Sequence, residues 1–393
     1  MSNKGKVTRL VGKKQLVVVE ENIPDVKDND MLLETGYCGV CGTDLHIIEN
    51  ADQESFAKAL PLTLGHEVTG RIVKMGKKAA ESVYCDDKLK EGDRIVVYMF
   101  LPCGNCWWER RFGTDHTLIC SNPLPGLFDH SDKWPYFVAG WGEYLYLPAG
   151  AWVFKIPENM EWDLAVLTEP FSMGTRAVEK AFSLPGWKNL QTIGFGGTAV
   201  VIGSGAMGIL TAIAAKIAGV GKLIMTGGPA EALKIAKEIG AADVTIDIFK
   251  TTPGERIEKV KELTEKGVGA DVVFDTAGVP EAFIEGLEMV RKLGTYVELG
   301  CLIDTNRTVP INVARHIVQK DITLYGVVSQ PPVDFNKSLR SMQLFRDRFD
   351  FKKIITARFR VGEVVKAVAH ASDPKKKGIK TVFMGKAVPD AKK

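Results

Sequence analysis

The sequence predicts an α/β protein in which a doubly wound parallel-sheet domain is inserted into a mainly β domain. Three observations carry this. After Pro170, short apolar runs alternate with amphipathic stretches, the rhythm of βαβ units. Before Pro170, β-branched runs are separated by long irregular loops. The βαβ rhythm then breaks at Gln330-Pro331-Pro332, and helical segments with one more strand follow. The expected division is 1–173, 174–328 and a return to the first domain over 329–393.

The individual elements follow in order. Residues 16–20, 31–35, 68–73 and 94–98 are aliphatic or β-branched runs bounded by Gly, Pro, Asp or Asn, and read as strands. Residues 102–134 carry little periodicity and many turn formers, which predicts a large loop or lobe. Strand character returns over 141–154. In the middle domain the strands are 199–202, 222–225, 243–246, 272–275, 296–299 and 323–327. Between them lie helices such as 231–239, where Leu233, Ala236 and Ile239 recur at helical spacing, and 281–293. Right-handed crossovers then leave few topologies besides a doubly wound sheet. In the tail, 337–345 and 361–371 read as helices and 381–384 as a strand.

Composition narrows the function. The length of 393 residues suffices for two ordinary cores, and 45% hydrophobic with 25% charged residues is globular and soluble. A net charge of +3 gives no case for nucleic acid or membrane partners. Residues 198–215 carry no charge, but glycines at 203, 205 and 208 divide the run into a strand and a helix start. Seven cysteines show no disulfide framework; Cys38/Cys41 and Cys103/Cys106 have ligand-like spacing, which suits a reducing, cytoplasmic setting.

Two groups of residues carry chemistry. Cys41 with Gly65-His66-Glu67 offers a thiolate, an imidazole and a carboxylate, a set that can hold zinc with a position left open. Gly203-Ser204-Gly205-Ala206-Met207-Gly208 lies between an apolar strand and an apolar helix, the seat of a dinucleotide pyrophosphate. Gly205 would admit the phosphates and Gly208 the close helix–strand contact. A Lewis acid beside a hydride carrier points to alcohol–carbonyl interconversion.

These residues, in this order, resemble the zinc-dependent medium-chain alcohol dehydrogenase family. The resemblance rests on Gly39-Val40-Cys41-Gly42-Thr43-Asp44-Leu45-His46, Gly65-His66-Glu67-Val68-Thr69-Gly70, Glu91-Gly92-Asp93-Arg94-Ile95-Val96 and the glycine turn. The first stretch is closest to the polyol and threonine dehydrogenase branches. The resemblance implies a Rossmann domain inserted in a GroES-like catalytic domain, with Zn2+ and NAD as cofactors and a homodimer or homotetramer joined through the dinucleotide domain. It implies Cys41, His66 and Glu169 as metal ligands, with Glu67 either binding the metal or standing beside it. Asp44 would orient His66, and Cys38 would serve packing. Thr43 would pass the alcohol proton through the cofactor ribose to His46. Met99, Phe100 and Cys301 would lie near metal and nicotinamide, lining an apolar pocket for a secondary or cyclic alcohol. Trp141 and Phe171 read equally as pocket or core.

Two positions depart from the family. Gly227 stands where an acid normally binds the ribose 2′-hydroxyl, and the nearest base is Lys234, so NADP remains open beside NAD. The family's four-cysteine lobe is here Cys103, Cys106, Glu109 and a displaced Cys120, a spacing that argues against a second zinc. Asp115 and His116 are further candidates for that lobe. Two other functions share this layout: a zinc-free NADPH-dependent quinone or enone reductase, and a non-enzymatic nucleotide-binding protein. The Cys41/His66 pair argues against the first; the second would bind cofactor without turnover.

Overall fold

The computed structural model describes residues 3–100, 102–113, 120, 130–182, 196–301, 304, 306–373 and 378–389. The chain opens with an antiparallel hairpin, β1 (Lys4–Gly12) and β2 (Gln15–Asn22). Only the second of these was legible as a strand. Three of the nine residues of β1 are basic, and its inward Val7 and Leu10 are too sparse to signal period two.

A mixed sheet follows. Its strands are β3 (Met31–Gly39), β4 (Glu67–Met75), β5 (Arg94–Tyr98), β6 (Tyr144–Leu147) and β7 (Trp152–Lys155). The parallel sheet then comprises β8 (Thr198–Ile202), β9 (Lys222–Gly227), β10 (Val244–Asp247), β11 (Ala270–Asp275), β12 (Val290–Glu298) and β13 (Thr323–Gly326), in the order β10-β9-β8-β11-β12-β13. The last strands, β14 (Ile355–Arg360) and β15 (Lys380–Met384), lie in the first sheet, ordered β14-β15-β3-β4-β5-β7 with β6 also on β3.

The expected α/β architecture is therefore present, with six parallel strands. One boundary differs in kind. The helix expected over 281–293 spans Pro280–Met289, and β12 takes over at Val290. Val290 pairs with Ala270, and Leu293 turns through φ 59°, a left-handed value no helix continues through. Lateral pairing outweighed the helical periodicity of the run.

The parallel sheet is apolar on both faces, as helix-covered sheets are. Val201, Phe274 and Val297 face the helix Ala206–Ile217, while Val200, Val273 and Tyr296 form a second core on the other side. Strand order reverses between β9–β8 and β8–β11, so a crevice opens at the carboxyl ends of these strands. Trp141 and Phe171 are fully buried, packed on Phe383 and Phe351 respectively, so both are core residues. Among the described residues no helix is long and apolar enough to cross a membrane.

Candidate metal and dinucleotide sites

The first cluster is built by two strand ends. Cys41 caps the helix Gly42–Glu49 just after β3, and His66-Glu67 enters β4. Ligand atoms of Cys41, His66 and Glu67 lie within 4.8 Å of one another. Two glycines allow this approach. A Cβ on Gly39 would sit 1.7 Å from Glu67 Oε2, and one on Gly65, at φ +98°, would meet Trp141 Cδ1 at 2.3 Å. Cys38 is also buried, but burial and the acids Asp44 and Glu67 hold its thiol well above the usual range, so it packs.

Charge is arranged in layers around this set. Asp44 accepts from the Cys41 amide at 2.9 Å, and its other oxygen stands 3.6 Å from His66 Nδ1, longer than a hydrogen bond but within ion-pair reach. Burial opposes charge on His66, yet Asp44 and Cys41 outweigh it and raise the imidazole well above its ordinary value. Lys380, from β15, donates to Glu67 at 2.5 Å and to the Val40 carbonyl at 3.1 Å. Glu169, at the start of the helix Thr168–Phe182, is buried outside the group of three. Burial raises its carboxyl, opposed chiefly by His66 and reinforced by Glu67. Gln330 Nε2 donates to it at 3.0 Å, and Tyr98 holds the Gln330 carbonyl at 2.8 Å.

These donors fit a zinc ion. His66 Nδ1 is buried without a hydrogen-bond partner, which in a site without metal would cost free energy. A thiol, an imidazole and a carboxylate converging in so small a space are a zinc donor set.

Of the proton-transfer candidates, Thr43 Oγ1 lies 3.7 Å from Cys41 Sγ. His46 is three residues further on the same helix, hence on the same side. The Phe100 ring lies 5.9 Å from that of His66, and Met99 is buried behind it. Cys301 follows β12 with its amide on Glu298 at 2.9 Å; burial and that carboxylate push its thiol up to about 11.

The lobe corrects a sequence expectation. Cys103, Cys106, Glu109 and Cys120 also bring ligand atoms within 4.8 Å of one another. Cys106 caps the helix Trp107–Phe112, which sets Glu109 one turn away. Glu109 Oε2 accepts from Cys103 Sγ and the Asn105 amide, each at 3.1 Å, while buried Oε1 has no partner. Burial raises the Glu109 carboxyl, but the three thiols and that amide bring it below its usual value. The irregular spacing fails as an objection because the four ligand atoms converge all the same. A second zinc fits these four donors. Asp115 and His116 lie outside the described residues.

The glycine turn fits a dinucleotide. Gly203 has φ +109°, which its tight turn requires. A Cβ on Gly208 would lie 2.0 Å from the Gly203 carbonyl, whereas one on Gly205 would meet nothing within 4 Å. The space above Gly205, at the N-terminus of Ala206–Ile217, is thus left for a ligand. Gly227 ends β9 beside this turn.

Sequence reasoning missed Lys380 and Gln330. For Lys380 a faint signal existed: a lysine opening an apolar strand. For Gln330 there was none.

Residues 27–158 match the alcohol dehydrogenase GroES-like domain, and residues 206–343 match the zinc-binding dehydrogenase domain. A sorbitol dehydrogenase of Halalkalibacterium halodurans is 30% identical over 91% of this chain and 92% of its own. The 5-exo-hydroxycamphor dehydrogenase of Pseudomonas putida is 28% identical over 90% of this chain and 93% of its own. The crystal structure of an alcohol dehydrogenase from Thermotoga maritima covers 98% of this chain and 100% of its own, with TM-score 0.84 and 25% identity. This chain belongs to the zinc-binding medium-chain alcohol dehydrogenase family.

Proposed function

We propose that this dehydrogenase oxidises a secondary or cyclic alcohol reversibly to its ketone. The observation that carries this is the Cys41/His66/Glu67 cluster next to a sheet whose glycine turn leaves room for a dinucleotide. Zinc bound there supplies Lewis acidity toward an alcohol oxygen, and NAD or NADP supplies the hydride acceptor.

The chain's own residues do the rest. Cys41 and His66 are the fixed donors. Glu169 is the acid free to approach the metal, because Glu67 is neutralised by Lys380. Gln330 orients Glu169 through its amide. Thr43, beside the Cys41 sulfur, takes the substrate proton, and His46 releases it to solvent. Phe100 gives the pocket an apolar wall, which favours a substrate with few hydroxyls. The similarity to a hydroxycamphor dehydrogenase agrees with this choice, although sorbitol dehydrogenases are equally near.

Residues 174–328 serve as the cofactor domain in this reading, within a catalytic domain formed by 1–173 and 329–393. The chain acts as a homodimer joined at the free edge of β13, where Leu324, Val318 and Val328 are exposed. All seven cysteines are free of disulfides, in keeping with the cytoplasm.

The test is zinc content and NADH or NADPH formation over a panel of cyclic, secondary and polyhydroxy alcohols. Highest kcat/KM on a cyclic or secondary alcohol supports the proposal. Preference for a polyol would replace the substrate class. A protein that cannot be loaded with zinc yet reduces enones would be the zinc-free reductase. Sedimentation of wild type against Leu324→Lys tests the dimer edge.

A further inference from the structure

The adenosine end of the dinucleotide crevice carries a feature that the reaction chemistry does not use. In sheets of this type the ribose beside the pyrophosphate turn is held by an acid ending the second strand. Here that place is Gly227, and the structure closes it to any side chain. A Cβ on Gly227 would lie 2.5 Å from Ser204 Oγ and 2.7 Å from the Ser204 amide nitrogen. Ser204 belongs to the glycine turn and donates to the Gly228 carbonyl at 3.1 Å, so it cannot retreat without moving the turn itself. Lys234, on the helix after β9, lies 3.9 Å from Glu231 and 3.8 Å from Glu238 on its own helix.

An aromatic shelf stands there instead. Phe249 follows β10, and its ring is so close to Gly228 that a Cβ there would meet Cε2 at 2.5 Å. The ring is nevertheless 71% exposed, and Ile248 beside it is 39% exposed. The shelf is built, not frayed. Ile248 donates to the Gly227 carbonyl at 2.9 Å, continuing the β9–β10 pairing by one residue. Asp247, the register partner of Gly227, accepts from the Phe249 amide at 2.9 Å, and Thr251 donates to the Asp247 carbonyl at 2.7 Å. An exposed apolar pair held this firmly next to a nucleotide crevice suits the flat face of a base.

We infer that this chain grips the adenosine half of its dinucleotide by stacking adenine on Phe249, and accepts NADH and NADPH alike because Gly227 puts no side chain on the 2′ position. The inference rests on the dehydrogenase reading. Gly227 presents a 2′-phosphate with no carboxylate of its own, and Asp247 and Lys250, in one turn with the Lys250 amide on the Asp247 carbonyl at 3.1 Å, carry opposite charges beside it, whereas the adenine is common to both cofactors.

The test is equilibrium binding of NADH and NADPH, followed by nicotinamide fluorescence, with ADP-ribose as competitor. It compares wild type, Phe249→Ala and Phe249→Tyr, each checked for an unchanged thermal midpoint. Wild type should bind both dinucleotides with Kd values within about tenfold of each other, a difference of about 1.4 kcal/mol at most. Phe249→Ala should weaken NADH, NADPH and ADP-ribose together by roughly 5- to 150-fold, the range for losing one base–aromatic stack. Phe249→Tyr should restore all three. Unchanged affinities in Phe249→Ala, or wild-type discrimination beyond about a hundredfold, would overturn the inference and leave the dehydrogenase reading standing. A zinc-loaded wild type that binds neither dinucleotide would overturn both.

Discussion

The two donor clusters both gather their ligand atoms within 4.8 Å of one another, yet their designs are opposite. The cluster of Cys41, His66 and Glu67 has three ligands, and its acid is already claimed by Lys380. The cluster of Cys103, Cys106, Glu109 and Cys120 has four, and among the described residues no lysine or arginine bonds its acid. Three protein donors leave a position for substrate, whereas four close a tetrahedron. One cluster is anchored on β3 and β4 within the core; the other hangs on a short helix with Trp107 and Trp108 exposed. The counter-charge on Glu67 is the chief electrostatic difference between the two clusters.

The sharpest way to break this comparison is to remove one thiol from each cluster. Cys41→Ser should lower turnover by at least roughly 10²–10³-fold, the scale of losing a single electrostatic stabiliser of the transition state. Cys103→Ser should keep most of kcat but lower the thermal midpoint. Each variant should lose a different zinc equivalent by elemental analysis. Equal loss of turnover in both would abolish the distinction.

Next in size is the ion pair under Glu67. Lys380 and Glu67 are both almost wholly buried, so Lys380→Met strands a carboxylate. Chemical denaturation should show a loss of about 3–5 kcal/mol. The double variant Lys380→Met/Glu67→Gln should recover much of it, since the unpaired charge is gone. A third, smaller effect concerns the lobe. Glu109→Cys gives four thiolates, and zinc should leave the lobe more slowly under chelator than in wild type. Faster loss would mean that the carboxylate is the better fourth donor here.

The smallest effect uses a buried acid with no cation bonded to it among the described residues. Asp275 ends β11 with Tyr296 donating to it at 2.7 Å; burial first, then Glu298, push its carboxyl up to about 7. Its folded value lies above the unfolded one, so the folded state binds the extra proton between them. The stability this proton provides is full below about pH 4 and is lost as pH rises through about 7. Wild-type stability should therefore fall across that window by on the order of 1 kcal/mol per pH unit, and Asp275→Asn should flatten the slope. An identical slope in the variant would assign the pH dependence elsewhere. The contrast with Glu67 would then be sharper if Lys380→Met introduced a new slope of the same sign.

Much of this was legible along the chain. The βαβ alternation yielded all six parallel strands, because a strand covered on both faces must be continuously apolar. The turn at Gly203 and the close contact at Gly208 were readable from their spacing, since each answers a constraint within a few residues. The metal donors Cys41 and His66 stood out because their glycine neighbours mark turns. Strand β1 and the start of β12 were not legible, because lateral pairing decided them against the local pattern.

The sequence by itself thus determined the elements, the metal donors and the phosphate turn, all set by signals reaching no further than one turn or strand. Only the tertiary structure decided which acid is neutralised, since Lys380 reaches Glu67 across 313 residues and Gln330 reaches Glu169 across 161. It also brought Cys120 to Cys103 and shut Gly227 against Ser204. The physical reason is that desolvation, Coulomb attraction and steric exclusion act on neighbours in space, and the folded chain alone fixes which residues those are.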